Sequence, residues 1–388
     1  MAEARKNRED FHIAIVCALA LEYNAVSRII DEFWDDAILG RSAGDPNTYS
    51  VGRIADSNVV LVLLSGMGKV SAASATASLR SSFSNLELVL VTGICGGVPK
   101  PHANEELLLG DVIISKAVVQ HDLGRRYPDR FEIKDTLDDR LGRPTRNIRN
   151  FIALFETDRA RDRLEEKAAL NLGELQSRAK GKRRAANYQY PGADKDHLFN
   201  SSYLHKHHST CNTCSDSSDN VCEASRKLSC RELGCDEQQL IQRDRLTSKD
   251  AQDPFVFIGH LGSGDAVIKS GQERDRLAQA HNLIAFEMEG AGVWDEIPCI
   301  IVKGVCDYAD SHKNKDWQNF AAATAAALSK ALIEEYPKTD KPSKQVENSG
   351  DDGGRAAVSG PVFHGTASGN NVVTGVHSSG GTQTFNFG

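Results

Sequence analysis

Short apolar runs rich in β-branched residues recur along the chain, and each is followed by a glycine turn or by a helix-like segment. The runs span residues 12–17, 59–64, 86–91, 111–119, 255–260, 284–286 and 299–305. The helix-like segments span residues 19–34, 70–82, 146–179, 272–281 and 317–336. Strands that are buried on both faces form continuous apolar runs, and they occur in parallel sheets covered by helices. The sequence therefore predicts an α/β fold with a central, mostly parallel mixed sheet flanked by helices.

The length of the chain, 388 residues, is enough for one large α/β domain with appended segments. We expect this domain to span residues 12–336, with a polar insertion rich in Ser, His and Cys at about residues 180–254. Residues 337–360 have the composition of a flexible linker, and residues 361–388 form a separate, glycine-rich tail.

Charge and hydropathy exclude several classes of protein. The formal net charge of −7 argues against a general nucleic-acid binder, which usually has a basic surface. No apolar run is long enough to predict a membrane span, and the charged N-terminus lacks the apolar core of a secretory signal. We therefore expect a cytoplasmic protein, whose nine cysteines are thiols or metal ligands rather than disulfides.

Two carboxylates follow the apolar run at 284–286, in the segment Phe286–Gly292. An acid pair buried at the carboxyl end of a strand is costly unless it binds something, and ligands of α/β sheets bind at such strand ends. A carboxylate there can accept hydrogen bonds from both hydroxyls of a ribose. The alternative is an ordinary helix N-terminus, which favours acidic residues.

A second acidic segment, Gly304–Asp310, follows the last apolar run. Burial would raise the pKa of Asp307, so that it could donate a proton to a leaving purine. Protonation at N7 makes the departing base neutral while the ribose becomes oxocarbenium-like. The alternative is that Asp307 caps a helix.

Seven short segments occur in a fixed order at residues 13–22, 65–70, 92–97, 109–112, 263–265, 286–291 and 306–307. Together they resemble the nucleoside phosphorylase / methylthioadenosine nucleosidase superfamily, over about residues 12–336 apart from the insertion. The resemblance implies the fold of that superfamily and cleavage of a purine N-glycosidic bond.

The resemblance also implies roles for single residues. Asp307 matches the acid that contacts purine N7, Glu289 matches the carboxylate that binds the ribose hydroxyls, with Met288 against the sugar, and Glu22 matches the acid that positions the attacking water. The remaining predicted substrate-binding residues come from the same motifs: Glu287, Gly93, Gly66, Ser263 and Asp265.

The segment Cys17–Glu22 favours hydrolysis over phosphorolysis. Phosphorylases of this superfamily carry an arginine in a phosphate-binding loop near the first strand, whereas this segment has no arginine and ends in Glu22. A carboxylate repels phosphate and can orient water. Ile94 and Cys306 replace serines of the family pattern, which puts the base and phosphate contacts in doubt. A purine nucleoside phosphorylase, a methylthioadenosine or adenosine nucleosidase and a non-catalytic signalling module remain as alternatives.

A narrower resemblance involves residues 190–199, the pair Cys211 and Cys214, and residues 307–315. These segments are similar to the phosphorylase-like effector domains of fungal NOD-like receptor systems, a group associated with cleavage of ATP to adenine and ribose triphosphate. The resemblance implies ATP or dATP as substrate and a role as an immune or cell-death effector. Six basic residues are candidates for binding the triphosphate, unless they only form a solvated face: Lys180, Lys182, Arg183, Arg184, Lys313 and Lys315.

The insertion contains a C-x-x-C pair, Cys211 and Cys214, which has the spacing of zinc ligands. A matching second pair is missing, so the sequence leaves two alternatives: a structural zinc ion or a metal-free loop. Catalysis itself is expected to need no cofactor.

The tail at 361–388 alternates small polar and β-branched residues, with no internal proline and almost no charge. That composition is typical of cross-β segments. The tail resembles the short amyloid motifs that couple fungal effectors to NOD-like receptors, which implies a homo-oligomer and a receptor partner with a matching motif. The alternative is an inert flexible tail.

Overall fold

Strands and helices alternate over most of the computed structural model, which describes residues 7–35, 39–102, 105–208, 211–214, 220–248 and 251–337. The strands are β1 (Ile13–Cys17), β2 (Glu32–Phe33), β3 (Tyr49–Ile54), β4 (Ser57–Leu63), β5 (Leu88–Gly97), β6 (Val112–Gln120), β7 (Gly124–Arg126), β8 (Phe131–Ile133), β9 (Val256–Ser263), β10 (Leu283–Glu287) and β11 (Cys299–Asp307). The helices are α1 (Ala20–Ile29), α2 (Lys69–Ser82), α3 (Arg146–Leu154), α4 (Asp158–Ala179), α5 (Cys230–Leu233), α6 (Gly271–His281), α7 (Gly290–Trp294) and α8 (Gln318–Glu335). The tail predicted at 361–388 lies outside the described residues.

The central sheet is mixed, and its strand order is β10-β9-β6-β11-β5-β1-β4-β3-β2. Parallel pairs join β4 to β1, β1 to β5, β5 to β11, β6 to β9 and β9 to β10, while β11 and β6 pair antiparallel. Each apolar run of the sequence contributes one strand. The predicted α/β fold, with a mostly parallel mixed sheet flanked by helices, is confirmed.

One half of the sheet curls until its edge meets its centre. Ala285 and Phe286 of β10 pair antiparallel with Gly97 and Gly96 of β5. The strands β5, β11, β6, β9 and β10 therefore form a closed ring. This closure brings the residues that follow β10 next to the carboxyl ends of β5 and β11.

Two helix predictions need correction. The segment 146–179 forms two helices, because Thr157 adopts an extended backbone at the N-cap position of α4 and donates its hydroxyl back to the carbonyl of Leu154 (2.7 Å). The segment 19–34 is helical only to Ile29, because residues 32–33 pair with β3 at the edge of the sheet.

The alanine-rich helix α8 is buried along most of its length, and it packs against β5, β11, α1 and α4. Small side chains let this helix lie close to the sheet, so its first residue, Gln318, reaches the carboxyl ends of the central strands. Among the residues that the structure describes, no helix combines the length and apolar character needed to span a membrane.

Candidate active site

A cleft opens where the ring of strands closes, at the ends of β1, β5, β10 and β11. Its polar walls carry the three predicted catalytic acids, and its apolar walls come from the strand ends and from the loop after β9. The lining residues include Glu22, Met67, Ile94, Gly96, Val267, Ile268, Phe286, Glu287, Met288, Glu289, Cys306, Asp307, Lys313 and Gln318.

Glu22 lies in the first turn of α1 and is held by backbone amides. Its Oε2 accepts hydrogen bonds from the amides of Ala18 and Leu19 (both 2.9 Å), and its Oε1 accepts one from the amide of Ile94 (2.9 Å). A Cβ at Gly93 would lie 2.2 Å from Oε1, so only glycine leaves room for this carboxylate. Burial raises the pKa of Glu22, although a nearby ammonium opposes the rise.

That ammonium belongs to Lys303, which lies beside Gly93 on the neighbouring strand and is 1% exposed. Its Nζ is 2.9 Å from Oε2 of Glu289 and 3.8 Å from Oε2 of Glu287. Burial disfavours the ammonium, but the surrounding carboxylates, led by that of Glu289, hold its pKa above the ordinary value. A buried lysine paired in this way stays charged and organises the acids around it.

The two acids after β10 have different surroundings. Glu287 accepts hydrogen bonds from the amides of Glu289 (3.0 Å) and Gly290 (2.8 Å), so it fixes the turn into α7. Glu289 is bound to Lys303 through one oxygen, and its other oxygen is 3.4 Å from the amide of Gly68. Glu289 therefore keeps more acceptor capacity for a ligand than Glu287 does.

Asp307 ends β11 and is also buried. Its Oδ1 accepts a hydrogen bond from the amide of Ala309 (2.9 Å), and its Oδ2 is 2.9 Å from Nζ of Lys313. The Cys306 thiol, whose pKa is raised by burial, stays protonated and donates to Oδ2 of Asp307 (3.3 Å). The replacement of serine at position 306 thus keeps a hydrogen-bond donor beside this acid.

The structure brings some of the predicted substrate-binding residues to the cleft and leaves others behind it. Met288 and Glu287 line the cleft, and Gly93 lies under Glu22. Ser263 is buried behind the cleft, where its hydroxyl accepts a hydrogen bond from the amide of Ala291 (3.0 Å). Asp265 accepts one from the amide of Lys69 (2.9 Å), and Gly66 is exposed in the loop before that residue.

The predicted phosphate-binding residues are divided in the same way. Lys313 lines the cleft, whereas Lys315 is exposed beyond it. The run Lys180–Arg184 is exposed and follows Arg178, which donates to the carbonyls of Arg28 and Ile30 at the far end of α1. That end is about 10 Å along the helix from Glu22, at 1.5 Å per residue.

Sequence reasoning missed Lys303, although one signal was visible. It is the only charged residue between Cys299 and Cys306, inside a run that predicts a strand buried on both faces. A lysine in such a place needs buried carboxylate partners, and its strand ends at Asp307. The apolar residues Val267 and Ile268 were also missed, and they carry no comparable signal, whereas Ile94 was noted as a replacement for a serine of the family pattern.

The C-x-x-C pair of the insertion has two further partners in space. Four potential ligand atoms lie within 4.8 Å of one another, from His207, Cys211, Cys214 and Cys222. Three thiols and one imidazole form a donor set that suits a tetrahedral metal ion. The sequence had suggested only Cys211 and Cys214.

Comparison with known proteins agrees with this fold and with the ordered motifs. Residues 12–171 match the family model described as the phosphorylase superfamily. A nucleotide-binding leucine-rich repeat (NLR)-like protein from Hyaloscypha variabilis is 31% identical over 331 residues, which cover 84% of this chain and 29% of that protein. The family model therefore confirms the predicted resemblance to the phosphorylase superfamily over residues 12–171.

Two further proteins to which this chain is similar are named as 5'-methylthioadenosine/S-adenosylhomocysteine nucleosidases. The protein from Mycobacterium bovis is 21% identical, over 73% of this chain and 82% of its own length. The crystal structure of the Colwellia psychrerythraea protein in complex with adenine is 17% identical, with a TM-score of 0.49, over 84% of this chain and 96% of that one. The chain spans less than a third of the Hyaloscypha protein, so that protein is much longer.

Proposed function

We propose that the chain is a purine N-glycosidase that uses water as its nucleophile. The observation that carries the proposal is the meeting of Glu22, Glu289 and Asp307 in one cleft, although they lie on three separate segments of the chain. Glycosidic cleavage needs a group that protonates the base, a group that binds the sugar and a group that activates water. Glu22, Glu289 and Asp307 can each supply one of these three groups.

Asp307 protonates the leaving base. The proton moves from its carboxyl group to purine N7 as the bond between C1′ and N9 breaks, so the base departs neutral. Lys313, 2.9 Å from Oδ2, stabilises the carboxylate that remains. Phe286 and Ile268 line the cleft and offer apolar surface to the purine ring.

Glu289 binds the ribose hydroxyls. Lys303 holds one of its oxygens in place, so the carboxylate is oriented before the sugar arrives. Hydrogen bonds from hydroxyls to a carboxylate are charge-assisted and strengthen as the ribose gains positive charge. Met288 lines the same wall of the cleft.

Glu22 positions and deprotonates the water. A carboxylate has about four acceptor positions, and three of them are taken by the amides of Ala18, Leu19 and Ile94. The fourth accepts a water proton as the water oxygen bonds to C1′. Glu22 then returns this proton through solvent to Asp307, which restores both acids.

The charges around the nucleophile favour water over phosphate. Three buried carboxylates, those of Glu22, Glu287 and Glu289, surround the single ammonium of Lys303. An incoming phosphate would meet a buried site with a net negative charge. The effective dielectric constant is low there, so like charges repel strongly. Water carries no such penalty.

Within this class we propose ATP or dATP as the substrate, with adenine and ribose 5′-triphosphate (or its deoxy form) as products. Support comes from the resemblance of residues 190–199 and 307–315 to the ATP-cleaving effector group and from the likeness to an NLR-like protein. Destruction of ATP suits a cytoplasmic immune or cell-death effector, coupled to a NOD-like receptor and assembling through its tail. The likeness to a methylthioadenosine nucleosidase favours that substrate as the second candidate.

The test is chromatography of the purified full chain after incubation with ATP, adenosine, inosine and methylthioadenosine, with and without phosphate. We expect adenine from ATP at a rate that phosphate does not change. Release of adenine mainly from methylthioadenosine would select the second candidate. Formation of ribose 1-phosphate would make the protein a phosphorylase, and no purine release from any substrate would favour the non-catalytic signalling module.

A further inference from the structure

A second group of cysteine and histidine side chains lies between the insertion and the loop that follows β11. Ligand atoms of His205, Cys235 and His312 lie within 4.8 Å of one another. The Sγ of Cys230 is 3.5 Å from Nδ1 of His205, and that of Cys235 is 3.7 Å from the same nitrogen. Three of these residues belong to the insertion, and His312 belongs to the catalytic domain.

The distances from Nδ1 of His205 to the sulfurs of Cys230 and Cys235 fit two ligands of one tetrahedral zinc ion. With Zn–S bonds of about 2.3 Å and Zn–N bonds of about 2.0 Å, tetrahedral geometry places sulfur and nitrogen ligands about 3.5 Å apart. The two distances from His205, 3.5 Å and 3.7 Å, lie close to that value. Two thiolates also neutralise the charge of Zn²⁺, so the whole group can be buried at low electrostatic cost.

His205 is oriented as metal-binding histidines usually are. Its Nε2 is 2.8 Å from the carbonyl oxygen of Leu228, so Nε2 carries the proton and donates it. The lone pair of Nδ1 then points at the thiols of Cys230 and Cys235. A backbone carbonyl that fixes the tautomer of a ligand histidine is a regular feature of zinc sites.

His312 supplies an independent observation. The residue is buried, and neither ring nitrogen has a hydrogen-bond partner within the part of the chain that the structure describes. Buried polar atoms without partners are costly and rare. The ring is held by stacking on Phe199, with centroids 4.0 Å apart. A metal ion would satisfy one of the two nitrogens.

We propose that His205, Cys230, Cys235 and His312 bind a zinc ion that fastens the insertion to the catalytic loop at 307–313. The loop is already tied to the insertion by the amide of His205, which donates to the hydroxyl of Ser311 (3.0 Å). Asp307 and Lys313 stand at the two ends of this loop. Zinc therefore holds Lys313 against the acid that we assign to proton transfer, and this last step rests on the proposed function.

The group formed by His207, Cys211, Cys214 and Cys222 carries a second zinc ion on separate evidence. Nδ1 of His207 is 3.5 Å from Sγ of Cys222 and 3.8 Å from Sγ of Cys214. The amides of Cys222 and Ser225 donate to the sulfurs of Cys214 (3.3 Å) and Cys222 (3.4 Å). Amide donors of this kind stabilise thiolates, which are the form that binds zinc.

Metal content of the purified full chain, measured by inductively coupled plasma mass spectrometry, tests both sites. We expect two zinc ions per wild-type chain. The variants His312→Ala and Cys214→Ser should each retain only one. His102→Ala, which changes an exposed histidine outside both groups, should retain two. Two ions in His312→Ala, or a Cys230–Cys235 disulfide in the freshly purified chain, would overturn the site at His312.

A second measurement uses wild-type protein reconstituted with Co²⁺, so its outcome does not depend on whether a variant folds. Two tetrahedral cobalt–thiolate sites should give two equivalents of the visible absorption, and a single equivalent would contradict the proposal. Zinc loss in His312→Ala should also lower kcat for purine release at least about 10-fold, with a smaller change in KM. Metal content needs no activity, so an inactive wild type with two zinc ions would refute only the proposed function.

Discussion

The side chain of Lys303 is the counter-ion on which the buried acids of the cleft depend. It is the buried cation among three acids, and it touches the one that we assign to ribose binding. A buried ion pair contributes little by itself, but removal of one partner leaves a charge without compensation. The residue therefore links the stability of the fold to the electrostatics of the cleft.

Lys303→Met should destabilise the protein by about 3 kcal/mol, because three buried carboxylates lose their counter-ion. The free energy of unfolding, measured by urea denaturation, checks this value. Lys116→Met is a matched control, because Lys116 pairs with Glu156 at the surface and its side chain is 52% exposed. The control should cost less than about 1 kcal/mol. Equal effects of the two variants would contradict the counter-ion role.

Asp307→Asn should reduce the rate of purine release by at least about 100-fold, because the amide keeps the shape of the side chain but cannot donate the proton. Single-turnover measurements with ATP would separate this loss from weaker binding. The exposed Asp316→Asn should leave the rate unchanged. Near wild-type release by Asp307→Asn would remove this residue from the mechanism.

The pH dependence should report Glu22. Water activation needs the carboxylate, and burial raises its pKa, so activity is lost as the pH falls through that raised value. The acidic limb of kcat/KM should therefore lie above about pH 4.3, where an ordinary glutamate titrates. Circular dichroism at each pH separates this limb from unfolding. A profile that is flat down to about pH 4.5 would show that Glu22 is not the base.

At the scale of elements, the apolar runs predicted the strands because burial on both faces leaves a continuous apolar signature. The strands β2 and β3 escaped prediction, because β2 is a two-residue strand at the edge of the sheet and the polar residues Ser50 and Arg53 interrupt the apolar signature of β3. The closure of β10 onto β5 also escaped, because only two residues of each strand pair. Thr157, a residue type that favours N-cap positions, marks the break between α3 and α4.

The contact between α1 and β5 can be tested by Gly93→Ala. The added Cβ would lie 2.2 Å from Oε1 of Glu22, so the carboxylate must leave its three amide donors. We expect at least a 10-fold loss in kcat, measured with ATP, while the protein still folds. Gly173→Ala is the control, because a Cβ there meets nothing within 4 Å on α4. Full activity in Gly93→Ala would show that Glu22 need not hold this position.

At the scale of the whole molecule, the order of motifs predicted which acids would meet, but not what lies between them. Glu22, Glu289 and Asp307 could be identified because each sits in a recognisable segment. Apart from the pair Cys211 and Cys214, the two cysteine and histidine groups could not be assembled from the sequence, because their members interleave: His205 and His207 belong to different groups, and His312 lies about 100 residues further along the chain. Spacing along the chain cannot resolve that arrangement.

The tail at 361–388, outside the described residues, should form fibrils and should not contribute to catalysis. Deletion of this segment should not change the rate of purine release, because every assigned acid precedes residue 310. The isolated peptide should form fibrils that bind thioflavin, since Val372, Val373, Val376 and Phe385 can stack with almost no charge to repel. The same peptide with Val373→Asp and Val376→Asp should stay soluble. Solubility of both peptides would contradict the amyloid motif.

The strand β11 occupies the middle of the sheet, between β5 and β6, although within residues 7–337 it follows all other described strands in sequence. Chains begin to fold from the N-terminus while the ribosome still adds about 5–20 residues per second. A nascent chain that ends before residue 299 has Glu22 and Glu289 but lacks Lys303 and Asp307. A polypeptide that terminates before this point therefore lacks both the proposed proton donor and the buried counter-ion, so the proposed glycosidase activity arises only after translation has passed the catalytic loop.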